Sequence, residues 1–167
     1  MLFTNQQLLR GALYPRAFIL VGLGAALGAL SRWWLLALIP PAGNLPLATL
    51  SANLLGTFVL AFHIRLWVDT LRFSWIPSAR LLVNTGFCGG LTTYSTFAIE
   101  MLRTQASAGT IAALGYLTIT LGGGLVCAAG GWFGGKWVKE TYLGWERTHH
   151  RSAPGDPDDP TPARHTS

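Results

Sequence analysis

Gly86–Glu100 reads GFCGGLTTYSTFAIE, and this stretch decides the fold. It lies inside an apolar run from Ser78 to about Leu102, long enough to cross a bilayer core that needs about 20 helical residues. An unbroken membrane helix rarely carries Gly86, Gly89 and Gly90 followed by Thr92, Thr93, Ser95 and Thr96. Each glycine costs a helix about 1 kcal/mol against alanine, and Ser or Thr just after it caps a restarted helix. The pattern predicts two half-helices joined by a break near Gly89–Thr92. At membrane depth such a break is tolerated only where it is buried or lines a cavity. The freed carbonyls there suit a cation, and the restarted helix presents a positive dipole end.

Three more apolar spans surround this segment: Ala17 to about Leu38, Leu47 to about Trp67, and Thr110 to about Trp132. Pro40, Pro41, Gly43, Asn44 and Pro46 separate the first two, Asp69, Arg72, Ser74 and Pro77 the next, and Gln105–Gly109 forms the last turn. Charge is sparse. Of 19 Asp, Glu, Lys and Arg residues, only seven fall in the 119 positions between Ala17 and Gly135. At 11% charged, against roughly 25% for a soluble domain, the chain is an all-α integral membrane protein, and a water-soluble enzyme is excluded. Trp33, Trp34, Trp67, Trp75, Trp132 and Trp137 cluster near span ends, as interfacial aromatics do.

The organisation expected is an N-terminal cytoplasmic tail over 1–16, a four-helix transmembrane domain over 17–137, and a polar, disordered C-terminal tail over 138–167. Met1–Pro15 lacks the pattern of a signal peptide. The net charge of +5 flanks apolar runs instead of forming a stripe with interleaved aromatics, which speaks for juxtamembrane anchoring and against nucleic acid. Cys88 and Cys127 sit within apolar runs as small core hydrophobes, and His149 and His150 lack a third metal ligand. Gly24 with Gly28, Gly130 with Gly134, and Gly131 with Gly135 recur at the spacing that lets membrane helices approach closely.

The spans also carry many neutral donors. Asn53, Thr49, Ser51 and Thr57 lie in the second, and Tyr116, Thr118 and Thr120 in the fourth. In hydrocarbon they must face other helices or a wet cavity. Tyr94 and Phe97, three apart, share a helix face, and the positive edges of their rings offer an anion partial charge without a full one. A strongly hydrated anion needs such donors to replace its water, and without a fixed positive charge it leaves again. On spacing alone, ordinary packing is the favoured reading of the aromatic pair. Glu100, the only acid within the spans, stands three residues from Arg103, which favours a surface ion pair. Arg32, beside Trp33 and Trp34, either anchors the first span or lines an aqueous vestibule.

GFCGGLTTYSTFAIE closely resembles the signature of the fluoride-specific channels called Fluc or CrcB, close to GF.GG.TTFSTF..E. Gly24–Arg32 (GAALGALSR) resembles that family's first-helix segment, and Thr49–Phe58 (TLSANLLGTF) resembles its second-helix segment around a central Asn. Tyr116, four before Thr120, is similar to the fourth-helix hydroxyl track. The resemblance covers about Ala17–Trp137. It implies a passive fluoride channel of the bacterial inner (plasma) membrane, multi-pass, exporting toxic fluoride, with four-helix subunits packed as an antiparallel dimer. It also implies a central structural sodium ion on the backbone carbonyls of Gly89 and Thr92. The ring positions are then Tyr94 and Phe97, the pore amide Asn53, and the ion path continues along Tyr116 and Thr120. Arg32 matches the vestibule arginine, and Ser95 and Thr96 match the motif hydroxyls.

The chain departs from the family at three points. Tyr94 stands where Phe is usual, and Gly124 follows Thr120 where another hydroxyl is expected. Ten Lys and Arg residues fall on the side of the termini, against Arg32 and Arg103 opposite, which favours both termini in the cytoplasm. A dual-topology homodimer remains the expectation, with an oppositely oriented second subunit as the alternative. Two rivals stand beside the channel: a small proton-coupled multidrug exporter, and a non-conducting helical interaction protein.

Overall fold

The computed structural model describes residues 15–41, 43, 45–67 and 76–150. It is all-helical among these residues. Helix α1 spans Pro15–Leu38, α2 Leu47–Trp67, and α3 Ile76–Arg80, followed by a π-helical turn Leu81–Phe87. Then come α4 Cys88–Leu91, α5 Tyr94–Ala108 and α6 Thr110–His150. Helices α1 and α2, and the Thr110–Thr141 part of α6, are long and apolar enough to cross a membrane. The segment from α3 to α5 is the fourth crossing, interrupted midway.

The interruption is the one the glycines and threonines predict, at the end of the expected window. Thr92 (φ −80°, ψ 155°) and Thr93 (φ −150°, ψ 125°) are extended. The Thr92 N–H and hydroxyl both donate to the Cys88 carbonyl, at 3.0 and 2.9 Å, closing the end of α4. The Thr93 hydroxyl oxygen accepts from the Thr96 N–H at 3.2 Å, capping the start of α5. Such a cap is worth about 1 kcal/mol. At 15 residues, α5 alone falls short of the roughly 20 needed to cross, so α3 through α5 span only as a unit.

Glycines bring the backbones together. A Cβ on Gly24 would collide with the Leu82 carbonyl, and one on Gly28 with the Phe87 carbonyl, so α1 lies directly against the π turn and α4. The π turn, which nothing in LLVNTGF announces, widens the helix where Gly86 approaches α1. Across the bundle, Gly131 and Gly135 of α6 lie against the Phe58 and Phe62 carbonyls of α2. Gly130 and Gly134 meet only the Phe58 and Phe62 rings at ordinary contact distances, so the second expected glycine pair is a looser seat. Packing without a hydrophobic drive depends on this closeness.

The far end of α6 differs from the expected boundary. The helix runs unbroken to His150, so residues 138–150, assigned above to the polar tail, are helical. At 1.5 Å per residue its 41 residues reach about 60 Å, twice a bilayer core. Arg65 of α2 sits 5.4 Å from the Trp132 ring, and Lys136 pairs with Glu140 at 3.8 Å, where α6 leaves the apolar zone. Residues 1–14 and 151–167, and with them most of both expected tails, lie outside the described residues, as does Trp75.

Candidate functional site at the helix break

The break opens onto a groove of about 430 Å³ lined from α2, from both sides of the break and from α6. Asn53, Gly56 and Thr57 come from α2, Gly89, Thr92, Thr93, Tyr94 and Phe97 from around the break, and Thr120 and Leu121 from α6. Four of the expected path residues (Asn53, Tyr94, Phe97 and Thr120) meet there, together with the expected sodium ligands Gly89 and Thr92. No Asp, Glu, Lys, Arg or His is among the lining residues. The groove is neutral and donor-bearing.

Asn53 lines it and holds the break. Its Oδ1 accepts from the Thr93 N–H at 2.8 Å, and its Nδ2 donates to the Thr93 carbonyl at 3.2 Å. The side-chain amide thus pairs with an extended residue as a neighbouring strand would. One Nδ2 hydrogen remains for the groove. The same clamp takes the Thr93 N–H away from the Gly89 carbonyl, which would accept it in an unbroken helix. Thr92's carbonyl accepts from Arg32 Nη1 at 3.2 Å.

The rings are unequal. Phe97 is buried and packs 5.2 Å from the Tyr116 ring, whereas Tyr94, 6.2 Å from Phe97, is 82% exposed. Tyr116 is itself 1% exposed and lies behind Phe97, outside the groove lining. Its hydroxyl donates to Glu100 Oε2 at 3.0 Å, and the Thr120 hydroxyl donates to the Tyr116 carbonyl at 2.8 Å. Ser95 lies beside the groove, its hydroxyl 3.3 Å from that of Thr93, and Arg32 reaches the break from α1; neither lines the groove.

Glu100 does not serve as the partner of Arg103 that its spacing suggested. Its Oε1 accepts from the Thr49 hydroxyl at 2.8 Å, so with Tyr116 it ties α5 to both α2 and α6. Thr49, like Tyr116, is 1% exposed. Glu100 also lines a second, smaller hollow of about 260 Å³ with Arg103, Thr104 and Ser107. Asn84, on the π turn, was missed as a site residue: it lines the groove, and its Oδ1 is buried with no hydrogen-bond partner in the protomer.

This arrangement sits within the part of the chain that known proteins share. Residues 19–132 match the family described as CrcB-like protein, Camphor Resistance (CrcB). The chain belongs to the CrcB family. A relative from Psychrobacter cryohalolentis, named fluoride-specific ion channel FluC, is 37% identical over 116 residues, 70% of this chain and 94% of the relative. One of the same name from Chlorobium phaeobacteroides is 40% identical over 118 residues, 70% of this chain and 90% of its own. A third, from Methanopyrus kandleri, is 38% identical over 116 residues, covering 70% and 86%. A multi-pass CrcB protein of a channel family, and not an enzyme, accounts for the four crossings and the charge-free groove together.

Proposed function

We propose that this CrcB protein is a passive, fluoride-selective channel that works as an antiparallel dimer and lowers cytoplasmic fluoride. The observation that carries the reading is the groove at the break, where Asn53, Thr93, Tyr94, Phe97 and Thr120 converge with no charged side chain among the lining. A small, strongly hydrated anion gives up water only to compact donors and ring edges, and neutral donors release it again. The relatives' name, fluoride-specific ion channel, supports the choice of anion.

Asn53 offers its free amide hydrogen, and Phe97, held against Tyr116, offers a fixed ring edge. Tyr94 offers an exposed ring and a hydroxyl from the open side. Tyr116 and Thr120 continue the path by exchanging their present acceptors for the ion, and Arg32 with Ser95 stands at its margin.

What the protomer leaves open supports the dimer. An exposed Tyr94 and an exposed Gly89, whose carbonyl the Asn53 clamp has released, are costly against lipid, where each unsatisfied polar group costs several kcal/mol. A second copy covers them. A homodimer is the simplest assembly, whereas a heterodimer with an oppositely oriented subunit resolves the charge bias. The donor set at the break fits a sodium ion: the Gly89 carbonyl is released by the Asn53 clamp, and the Thr92 carbonyl lies past the last hydrogen-bonded turn of α4. Bound there, sodium supplies fixed positive charge that holds broken helices together.

Fluoride efflux from liposomes containing the purified protein, read by a fluoride electrode beside chloride, tests the reading. Rapid fluoride efflux without chloride flux, lost on Phe97→Ile, is the expected result. Absence of efflux from folded dimers, with and without a co-expressed second subunit, would overturn it.

A further inference from the structure

The guanidinium of Arg32 is placed by packing and not by the membrane surface. Gly24, Gly28 and Arg32 recur at four-residue spacing on one face of α1, and the two glycines press that face against the π turn and α4. One helical turn past Gly28, Arg32 has no choice but to meet the end of α4. There its Nη1 donates to the Thr92 carbonyl at 3.2 Å, across 60 residues of sequence. A cation at a helix C-terminus is favourable, and an arginine never gives up its charge.

The geometry points to Arg32 as a resident cation of the helix break, competing with sodium for the Thr92 carbonyl. This rests on the sodium reading above. A carbonyl oxygen has two lone pairs, so the guanidinium and the ion are not sterically exclusive. Their charges nevertheless repel, and repulsion over a few ångström is strong where water is scarce. Arg32 therefore weakens sodium binding. In exchange it keeps the Thr92 carbonyl satisfied when no ion is present, so the break stays folded at low sodium. Its effect on sodium runs through the carbonyl it shares, which makes it a positioning residue for that ion.

The test is thermal unfolding of the purified full chain, followed by tryptophan fluorescence across a sodium chloride series, with N-methylglucamine chloride holding ionic strength constant. Arg32→Gln keeps a donor for the carbonyl and removes the charge; Arg32→Met is a second neutral variant should Gln fail to fold; Arg32→Lys keeps the charge. The neutral variants are expected to reach half-maximal stabilisation at about tenfold lower sodium than wild type, and the lysine variant close to wild type. A sodium response in a neutral variant but not in wild type also supports the inference, because the guanidinium then holds the seat outright. Equal midpoints in wild type and the neutral variants overturn it and leave sodium at the break intact. No sodium response in any of the proteins overturns the inference and the sodium reading together.

Discussion

Asn53 and Thr93, 40 residues apart, pair through both ends of one amide: Oδ1 accepts from the Thr93 N–H at 2.8 Å and Nδ2 donates to the Thr93 carbonyl at 3.2 Å. The residue proposed as a donor to the ion is thereby also the strut of the helix break. The two duties separate by mutation. Asn53→Asp keeps an acceptor for the Thr93 N–H but loses the donor and brings negative charge into the groove proposed for the anion. It is expected to fold and to lose fluoride efflux by about a hundredfold or more, since like charge in a low-dielectric site costs several kcal/mol. Asn53→Leu loses both hydrogen bonds, and its melting temperature falls as well. Paired efflux and melting measurements on the two variants check this, and wild-type efflux from Asn53→Asp would remove Asn53 from the ion path.

The glycine contacts make a graded stability prediction. Gly28→Ala places a methyl in the Phe87 carbonyl and must push α1 away from the break, which costs about 1–3 kcal/mol as overpacking does. Gly24→Ala meets the Leu82 carbonyl and behaves alike. Gly115→Ala, with nothing within 4 Å of its added Cβ, is expected to be neutral or to stabilise by up to about 1 kcal/mol. Melting of the detergent-solubilised proteins orders the three. Equal shifts for Gly28→Ala and Gly115→Ala would mean that α1 does not rest on α4 in the membrane.

Glu100 carries a third. Glu100→Ala leaves the hydroxyls of Thr49 and Tyr116, both 1% exposed, without their acceptor. The cost is about 1–3 kcal/mol for each unpaired group. Glu100→Gln keeps an oxygen acceptor and an amide that either hydroxyl can turn to meet, so most of that stability returns. A passive channel also conducts regardless of the proton gradient, whereas a proton-coupled exporter with Glu100 as its carrier would stop in Glu100→Gln. Efflux at equal and at unequal pH across the liposome separates them.

The break was legible in the sequence because its signals are local: Gly89 and Gly90 weaken the helix, and Thr92 and Thr93 close one end and cap the next within four residues. Close packing at Gly24, Gly28, Gly131 and Gly135 was legible from spacing alone. What the sequence hid depends on helices meeting across long separations. Glu100 looked like the partner of Arg103 because that neighbour is three residues off. Its actual partners are 51 and 16 residues away, and only the packing of α2 and α6 on α5 presents them. The second duty of Asn53 was hidden because its partner is a backbone, which no side-chain pattern reveals. The π turn at Leu81–Phe87 answers to the approach of Gly86 to α1, a tertiary cause.

Tyr94 closes the series, because it stands where the family's signature has phenylalanine. Its ring lies 6.2 Å from Phe97 with the planes tilted by 44°, yet it is 82% exposed in the protomer while Phe97 is 9% exposed. Removing the hydroxyl leaves that ring geometry untouched. If the ring edge serves the ion, Tyr94→Phe is expected to conduct fluoride within about threefold of wild type, less than 1 kcal/mol in the barrier. Tyr94→Ile, which removes the edge, is expected to lose efflux as Phe97→Ile does. If the hydroxyl itself serves as a donor, Tyr94→Phe instead falls by tenfold or more, the loss of about one hydrogen bond of 1.4 kcal/mol. The liposome assay distinguishes the two directly, and melting of the protein shows whether the hydroxyl is spent on the second subunit of the proposed dimer: only in that case does Tyr94→Phe lower stability while leaving efflux unchanged.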